Sequence, residues 1–524
     1  MSFEKDGKRY YQNPVIFADF SDPDPIVFGD YYYMTASSFQ YTPGLPILRS
    51  GNLADWELIG YALDKIPEKR FDLPQVSHGV WAPSMRVYDA YVWIFYGMPD
   101  EGIYAVKAER PEGPWSRPCL IKKGKGLIDP CPYFDGEGNG YMVHAYAKSR
   151  IGFKSALSCF QFMKNGEAFD GEDRLIFLDH ARQPTLEGPK VYERNGYIYI
   201  FAPAGGVTTG WQTVLRSRSI WGPYESRIVM RQGDSPTNGP HQGGWIRDFE
   251  GKDWFLHFQD KGAYGRIIHL QPMCWKEDWP LIGEAEEGRD YGTPVSEWPL
   301  PASRIEGAED AELKASDDFK GEGPGLQWQW YANPPGNALR MENGLLLRAQ
   351  NADGAETINL WQKANLLSQK LIAPSALYKS TLDAAALEAD DAAGLAVLGD
   401  RYLALSLRGE GGRRLVLALG ERGAEEKILQ SRGLAQGPVT LCLLVRETEK
   451  GPVAQFAYEK DGQREVFPDC LLLEPNTWTG AKPALFAVTK GRAEGGEARF
   501  LNFDAALGTT AFEASAGADE EAKG

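Results

Sequence analysis

The sequence predicts an all-β chain in two domains, a five-bladed β-propeller followed by a β-sandwich. Three observations carry this expectation. At 524 residues the chain exceeds what one hydrophobic core organises, so two domains come before any motif. Up to about residue 283, short β-branched and aromatic runs alternate with Gly, Asp, Asn and Pro turns, and helical periodicity is weak. Within that stretch one unit recurs five times at intervals of roughly 50 to 60 residues, a period in the range of propeller blades.

The five copies open at Asp22 (DPDPIVFGDYYYMTAS), Val80 (VWAPSMRVYDAYVWIFYG), Ile128 (IDPCPYFDGEGNGYMVHAY), Leu186 (LEGPKVYERNGYIYIFAPAGG) and Gly239 (GPHQGGWIRDFEGKDWFLHFQD). Each reads as a Pro or Gly opening, a short strand, a turn, and an aromatic-rich strand, which is the inner pair of a blade. Several continue into an outer strand and a tryptophan-bearing turn, as in ILRSGNLADWEL and VLRSRSIWGPYE. Residues 1–293 are therefore assigned to the propeller. Residues 294–316 are rich in Pro, Ala and acids, lack paired-strand signals, and read as a linker or surface strap. Alternating strands such as RYLALSLRG and TLCLLVRE then place the sandwich at 317–508. The acidic, small-residue end, 509–524, reads as a disordered tail.

Charge and composition narrow the partners. Lys and Arg number 56 against 72 Asp and Glu, a net charge of −16, so no broad basic face is expected to hold nucleic acid or an acidic polysaccharide. No apolar run reaches the roughly 18 residues of a membrane helix. The start lacks an apolar leader segment, and a cytoplasmic location is the expectation. Six widely spaced cysteines without a C-x-x-C pair argue against a zinc ribbon or disulfide framework and read as reduced, mostly buried thiols. Aromatics at 12% suit both β packing and stacking on sugar rings. A homo-oligomer is compatible with all of this.

The residue opening each innermost strand of a propeller lies near the mouth of the central channel, so equivalent positions converge. Three of the five openings carry an acid: Asp22, Asp129 and Glu187. Three acids in one mouth repel one another and raise at least one pKa, which yields a protonated acid beside an ionised base at neutral pH. Asp24 also precedes proline, and a period of two puts it on the same side as Asp22, so spacing alone leaves the base open between them.

These motifs resemble glycoside hydrolase family 43, the inverting β-xylosidase and α-L-arabinofuranosidase family, over nearly the whole chain. NPVIFADFSDPDP, VWAPS, GKGLIDPCPYFD, EGPKVYERNGYIYIF and GPHQGGW look like its five blades, and DDF with LQWQW looks like the start of its appended β-sandwich, a concanavalin-like jelly roll. The resemblance implies Asp22 as general base, Asp129 as the residue that orients and tunes the acid, and Glu187 as general acid. It further implies Phe39, Trp81 and Arg266 as substrate-binding residues, and His241 as the residue facing a channel ion. No organic cofactor is implied, and a structural or activating divalent cation such as Ca2+ is the one ion the resemblance admits. Pro25 and Phe28 depart from the types common after the base. The implied activity is exo-acting, inverting release of terminal β-D-xylose from xylan- or arabinoxylan-derived oligosaccharides. The alternatives are an α-L-arabinofuranosidase using the same site and a non-catalytic carbohydrate-binding propeller. The sandwich is expected to close one side of the pocket, with Trp328, Trp330, Tyr331 and Trp361 packing against the propeller.

Overall fold

The structure, a computed structural model, describes residues 2–285 and 288–512. The expected tail lies outside the described residues from position 513 onward. Five antiparallel sheets follow one another along the first 282 residues. They begin with the strands Asp24–Phe28, Trp81–Tyr88, Leu127–Phe134, Lys190–Arg194 and His241–Arg247. In each sheet the chain moves outward by adjacent antiparallel pairing, as in Asp24–Phe28, Tyr31–Thr35, Gly44–Ser50 and Glu57–Leu63. The innermost strands of the first four sheets pack side by side, the fourth sheet meets the fifth through Tyr197–Ala204, and the fifth returns to the first. This closed ring is the propeller-type arrangement that the repeats predict.

Apolar residues on the faces of neighbouring sheets fill the space between them. Tyr33, Ile47 and Val80 pack with Met85 and Ile94 between the first two sheets, and Phe201, Val214 and Phe255 pack between the last two. Full burial of such side chains stabilises by about 1.5–3 kcal/mol each.

Every inner opening is kinked. Asp22 (φ 60°), Ala82 (33°), Asp129 (56°), Gly188 (59°) and Gln242 (29°) all lie in the left-handed region, and ladder pairing skips around Ala82, Asp129 and Gln242. Such conformations cost about 1–3 kcal/mol each for residues other than glycine and persist only where surrounding structure enforces them. Their effect is to turn Asp22, Ala82, Asp129 and Gln242, and Glu187 just before Gly188, off the strands' alternation and toward the mouth. The period-two expectation for Asp22 and Asp24 fails for this reason: the strand starts at Asp24, and Asp22 sits on the kink before it.

Residues 294–316 are a strap, and one expectation for them needs correction. Glu297–Pro299 pairs with Lys8–Gln12, which also pairs with Ser2–Lys5. Pro and acidic residues are tolerated because this is an edge strand, and the segment buries its own Val295, Ala308 and Ala315. The thiol expectation is half met: all six cysteines are free, but Cys119, Cys274 and Cys470 are exposed. Among the described residues, no helix is long and apolar enough to cross a membrane.

The second domain links fifteen strands in one hydrogen-bonded network, a nearly closed sandwich around a leucine-rich core that includes Leu345, Leu395, Leu405, Leu417 and Leu443. It is seated directly on the propeller. Thr42 and Trp330 exchange backbone hydrogen bonds of 3.1 and 2.6 Å, and Tyr41 packs on Tyr331 with ring centroids 5.6 Å apart. Asn333 uses its side-chain amide to bond both the N–H and the C=O of Ile66, each at 2.9 Å. Trp361 packs against Tyr331 behind this contact, while Trp328 turns into the sandwich core against Phe503 instead. Gly480 approaches so closely that a Cβ there would stand 2.6 Å from the backbone of Tyr264 and Gly265.

Candidate active site

One pocket of about 390 Å3, counting the space at its mouth, is lined by Asp22, Asp129, Glu187, Phe39, Trp81 and Arg266. These are six of the seven residues singled out from sequence. Ala82, Ile128, Gln242 and Trp478 complete the wall.

Asp22 is buried on its kink, and its Oδ2 accepts hydrogen bonds from the hydroxyls of Ser21 and Ser37. Ser37 in turn accepts the Ala82 N–H at 2.7 Å, tying the first opening to the second. Arg266 donates to Ser21 Oγ at 2.6 Å and stands 3.5 Å from Asp22 Oδ1. Its guanidinium lies between the rings of Phe258, at 4.6 Å, and Trp478, at 5.4 Å. Asp24 is held elsewhere: its Oδ2 accepts from the Met85 N–H at 2.7 Å and from Arg86 at 2.6 Å, under full burial. Asp22 is therefore the carboxylate of this pair that faces the pocket, and Asp24 fixes Arg86 between blades.

Asp129 accepts the Gly188 N–H at 2.8 Å through Oδ2. Gly188 is required there twice over, since its φ is 59° and a Cβ would stand 2.7 Å from the Gln242 side chain. That bond sets Glu187 beside Asp129. Burial pushes the Glu187 carboxyl up to about 7, with Arg266 and Lys154 opposing the shift and Asp22 adding to it. Asp129 is raised well above the carboxylate range, first by burial and then by repulsion from Glu187 and Asp22. Two acids so placed titrate as a pair and keep a proton between them near neutral pH. The site thus holds a proton donor and a hydrogen-bonded carboxylate acceptor on different blades.

Phe39 is held on a left-handed turn by reciprocal backbone bonds with Val80, at 3.0 and 3.1 Å. Trp81 donates its indole N–H to Ser77 C=O at 2.9 Å, and the Arg150 guanidinium lies 5.5 Å from its ring. His241 is wholly buried, its Nε2 is 3.7 Å from Glu187 Oε1, and neither ring nitrogen has a hydrogen-bond partner. Burial first, then Arg266, pulls it down to about 3, so the ring is neutral at physiological pH. Among the described residues no three His, Cys, Asp or Glu side chains gather as a cation would need. His241 on its own does not make a protein-held cation site.

No local sequence pattern marks Trp478 as a pocket residue. It sits in the turn between Leu472 and Lys482 of the second domain, at φ 67° and 48% exposed. Its neighbours lock it in place. Ser77 donates its hydroxyl to Thr477 C=O, the Gly480 N–H reaches Asp19 at 3.1 Å, and Lys482 pairs with Asp19 at 3.3 Å. Asp19 also accepts the Arg266 N–H at 3.0 Å. Burial raises the Asp19 carboxyl, but Lys482, Lys370 and the two backbone donors outweigh it and hold the group below its usual range.

Residues 11–280 match the model of Glycosyl hydrolases family 43. The chain belongs to this family. Residues 316–505 of the hydrolase match the Beta xylosidase C-terminal Concanavalin A-like domain. The hydrolase is 34% identical over 410 residues to a Xylanibacter ruminicola protein provisionally named a beta-xylosidase, covering 77% of this chain and 74% of that one. It is 28% identical over 350 residues to a Bacteroides ovatus protein named Non-reducing end alpha-L-arabinofuranosidase, covering 62% of each. In fold it matches a mutant of the family 43 protein BlXynB of Bacillus licheniformis with a TM-score of 0.81 at 23% identity, covering 95% of this chain and all of that one. The hydrolase is accordingly a glycoside hydrolase carrying a family 43 propeller and a concanavalin-like sandwich.

Proposed function

We propose that the hydrolase removes terminal β-D-xylose from short xylan- or arabinoxylan-derived oligosaccharides with inversion of the anomeric centre. Asp22 activates the attacking water, Glu187 protonates the leaving oxygen, and Asp129 orients Glu187 and keeps its proton in place. Arg266 and the rings of Phe39, Trp81 and Trp478 hold the sugar. The observation that carries this reading is the pocket itself. It pairs a carboxyl raised to about 7 on one blade with a carboxylate fixed by two hydroxyls and an arginine on another. A tryptophan from the second domain on the wall favours attack at a chain end, because a polymer needs an open cleft to pass. Release of α-xylose from xylobiose, read by proton NMR before mutarotation, is the expected result; β-xylose as first product would overturn inversion.

A second substrate reading rests on the Bacteroides ovatus relative's name. Terminal α-L-arabinofuranose presents hydroxyls spaced like those of xylopyranose, and the same carboxylates serve either sugar. Nitrophenyl β-D-xylopyranoside and α-L-arabinofuranoside assayed side by side are expected to favour the xyloside. Turnover of neither would return the protein to a sugar-binding role.

The pH dependence follows from the coupled acids. Glu187 works as a donor only while protonated, so kcat/KM falls as pH rises through about 7. The two acids repel each other, so the pair holds its last proton to higher pH than either acid alone. Asp129→Asn removes that repulsion and moves the alkaline limb to lower pH. An alkaline limb that stays where it is in Asp129→Asn would remove Asp129 from the tuning role.

A further inference from the structure

A second cavity lies between the domains, apart from the active site. It encloses about 820 Å3, counting the space at its mouth, and its apolar wall is made by Phe20, Leu58, Tyr61, Leu313 and Ile372. Lys370 lines it too. We propose that Lys370 is a covalent attachment site for aldehydes that carry a flat apolar body.

The amine has an unusual setting. Its one hydrogen bond goes to a neutral acceptor, Gln329 Oε1, at 2.8 Å, and the Gln329 amide is itself oriented by donating to Pro43 C=O at 2.8 Å. Nζ lies 4.8 Å from the centre of the Phe20 ring. No carboxylate pairs with it among the described residues. The nearby Asp19 is already committed to Lys482, the Gly480 N–H and the Arg266 N–H, and Glu57 at the cavity rim is paired with Arg49 at 2.6 Å. The remaining charged groups on the lining, Glu312 and Lys314, are exposed. Burial, with repulsion from Lys482, pulls the Lys370 amine down to about 7 against the attraction of Asp19. A large share of the amine is then neutral and nucleophilic at physiological pH, whereas an ordinary lysine is protonated almost throughout.

The chemistry needs no other reactant. The Nζ lone pair attacks the aldehyde carbon and forms the N–C bond, the C=O π pair moves to oxygen, and oxygen takes the proton that nitrogen sheds. The carbinolamine then loses its hydroxyl as water while nitrogen gives up its second proton, leaving a C=N bond. One aldehyde and one amine become one imine and one water, with no change in oxidation state. The ring of an aromatic aldehyde would lie against Phe20, Leu58 and Ile372, and its burial favours Lys370 over lysines that offer only solvent.

The test uses the full-length hydrolase with benzaldehyde and cyanoborohydride, which reduces the imine to a stable benzylamine, followed by peptide mapping. At pH 7, labelling at Lys370 is expected to exceed that at any other lysine side chain by about tenfold or more, in line with its larger neutral fraction. Formaldehyde, which has no apolar body, is expected to label Lys370 with less selectivity than benzaldehyde does. Lys370→Arg keeps a long basic side chain but removes the nucleophilic amine and should lose the adduct. Benzyl groups spread over exposed lysines with Lys370 spared, or equal selectivity for both aldehydes, would overturn the proposal. The wild-type map decides this even if the variant fails to fold.

Discussion

Glu187→Gln is expected to lower kcat/KM on xylobiose by about three orders of magnitude, the middle of the range for loss of a general acid. On nitrophenyl β-D-xylopyranoside the same variant should lose far less, within about tenfold, because nitrophenolate departs without a proton. Asp22→Asn should instead depress both substrates alike, by about 10^2 to 10^4, since every leaving group waits on the same activated water. The contrast separates the two roles without assuming either. Equal losses for Glu187→Gln on both substrates would deny it the donor role, and an unaffected Asp22→Asn would deny Asp22 the water. Each swap nearly preserves side-chain volume, and Asn at position 22 keeps an oxygen for Ser21 and Ser37, so an unchanged unfolding midpoint is the accompanying expectation.

Cutting the chain after residue 300 is expected to give an insoluble or inactive fragment. The cut keeps the edge strand Glu297–Pro299 paired to Lys8–Gln12, so the loss would come from the missing sandwich and not from a broken blade. Asp19 would lose Lys482 and the Gly480 N–H while staying under Arg266, and stranding one partner of a buried pair costs about 3–5 kcal/mol. Tyr41 and Phe20 would lose the Tyr331 and Lys370 side chains, and the Tyr264 hydroxyl would lose the Pro374 C=O. Arg266 would lose Trp478 from one face. The measurements are soluble yield and turnover of xylobiose. A soluble 1–300 fragment with full activity would make the sandwich a detachable module.

The ring of sheets and the acids at its mouth were legible because each is a repeated local pattern. Five openings with the same Pro and Gly grammar gave the blades, and the acids at positions 22, 129 and 187 stood at equivalent places within them. What spacing could not resolve was the choice between Asp22 and Asp24, because alternation assumes a regular strand. A backbone kink at Asp22 breaks that alternation, and Arg86, 62 residues away from Asp24, claims the other acid. Trp478 lay beyond reach for a different reason. Nothing in the tetrapeptide TWTG marks it as part of a site; it becomes one through the long-range contacts of Asp19 and Ser77, which no local pattern encodes. The strand hidden in the 294–316 strap was missed because three residues on an edge carry too little pattern to stand out.

The five kinked openings have a consequence for redesign. Because each wall position is aimed by backbone, the rim amounts to a fixed frame of addressable sites in which identity and direction are separable. Three of the openings carry acids; the other two hold Ala82 and Gln242, which line the same pocket. Ala82 is anchored through its N–H and not its side chain, and the Gln242 Oε1 has no hydrogen-bond partner. A two-position library at 82 and 242 therefore varies the pocket wall while the three acids keep their places.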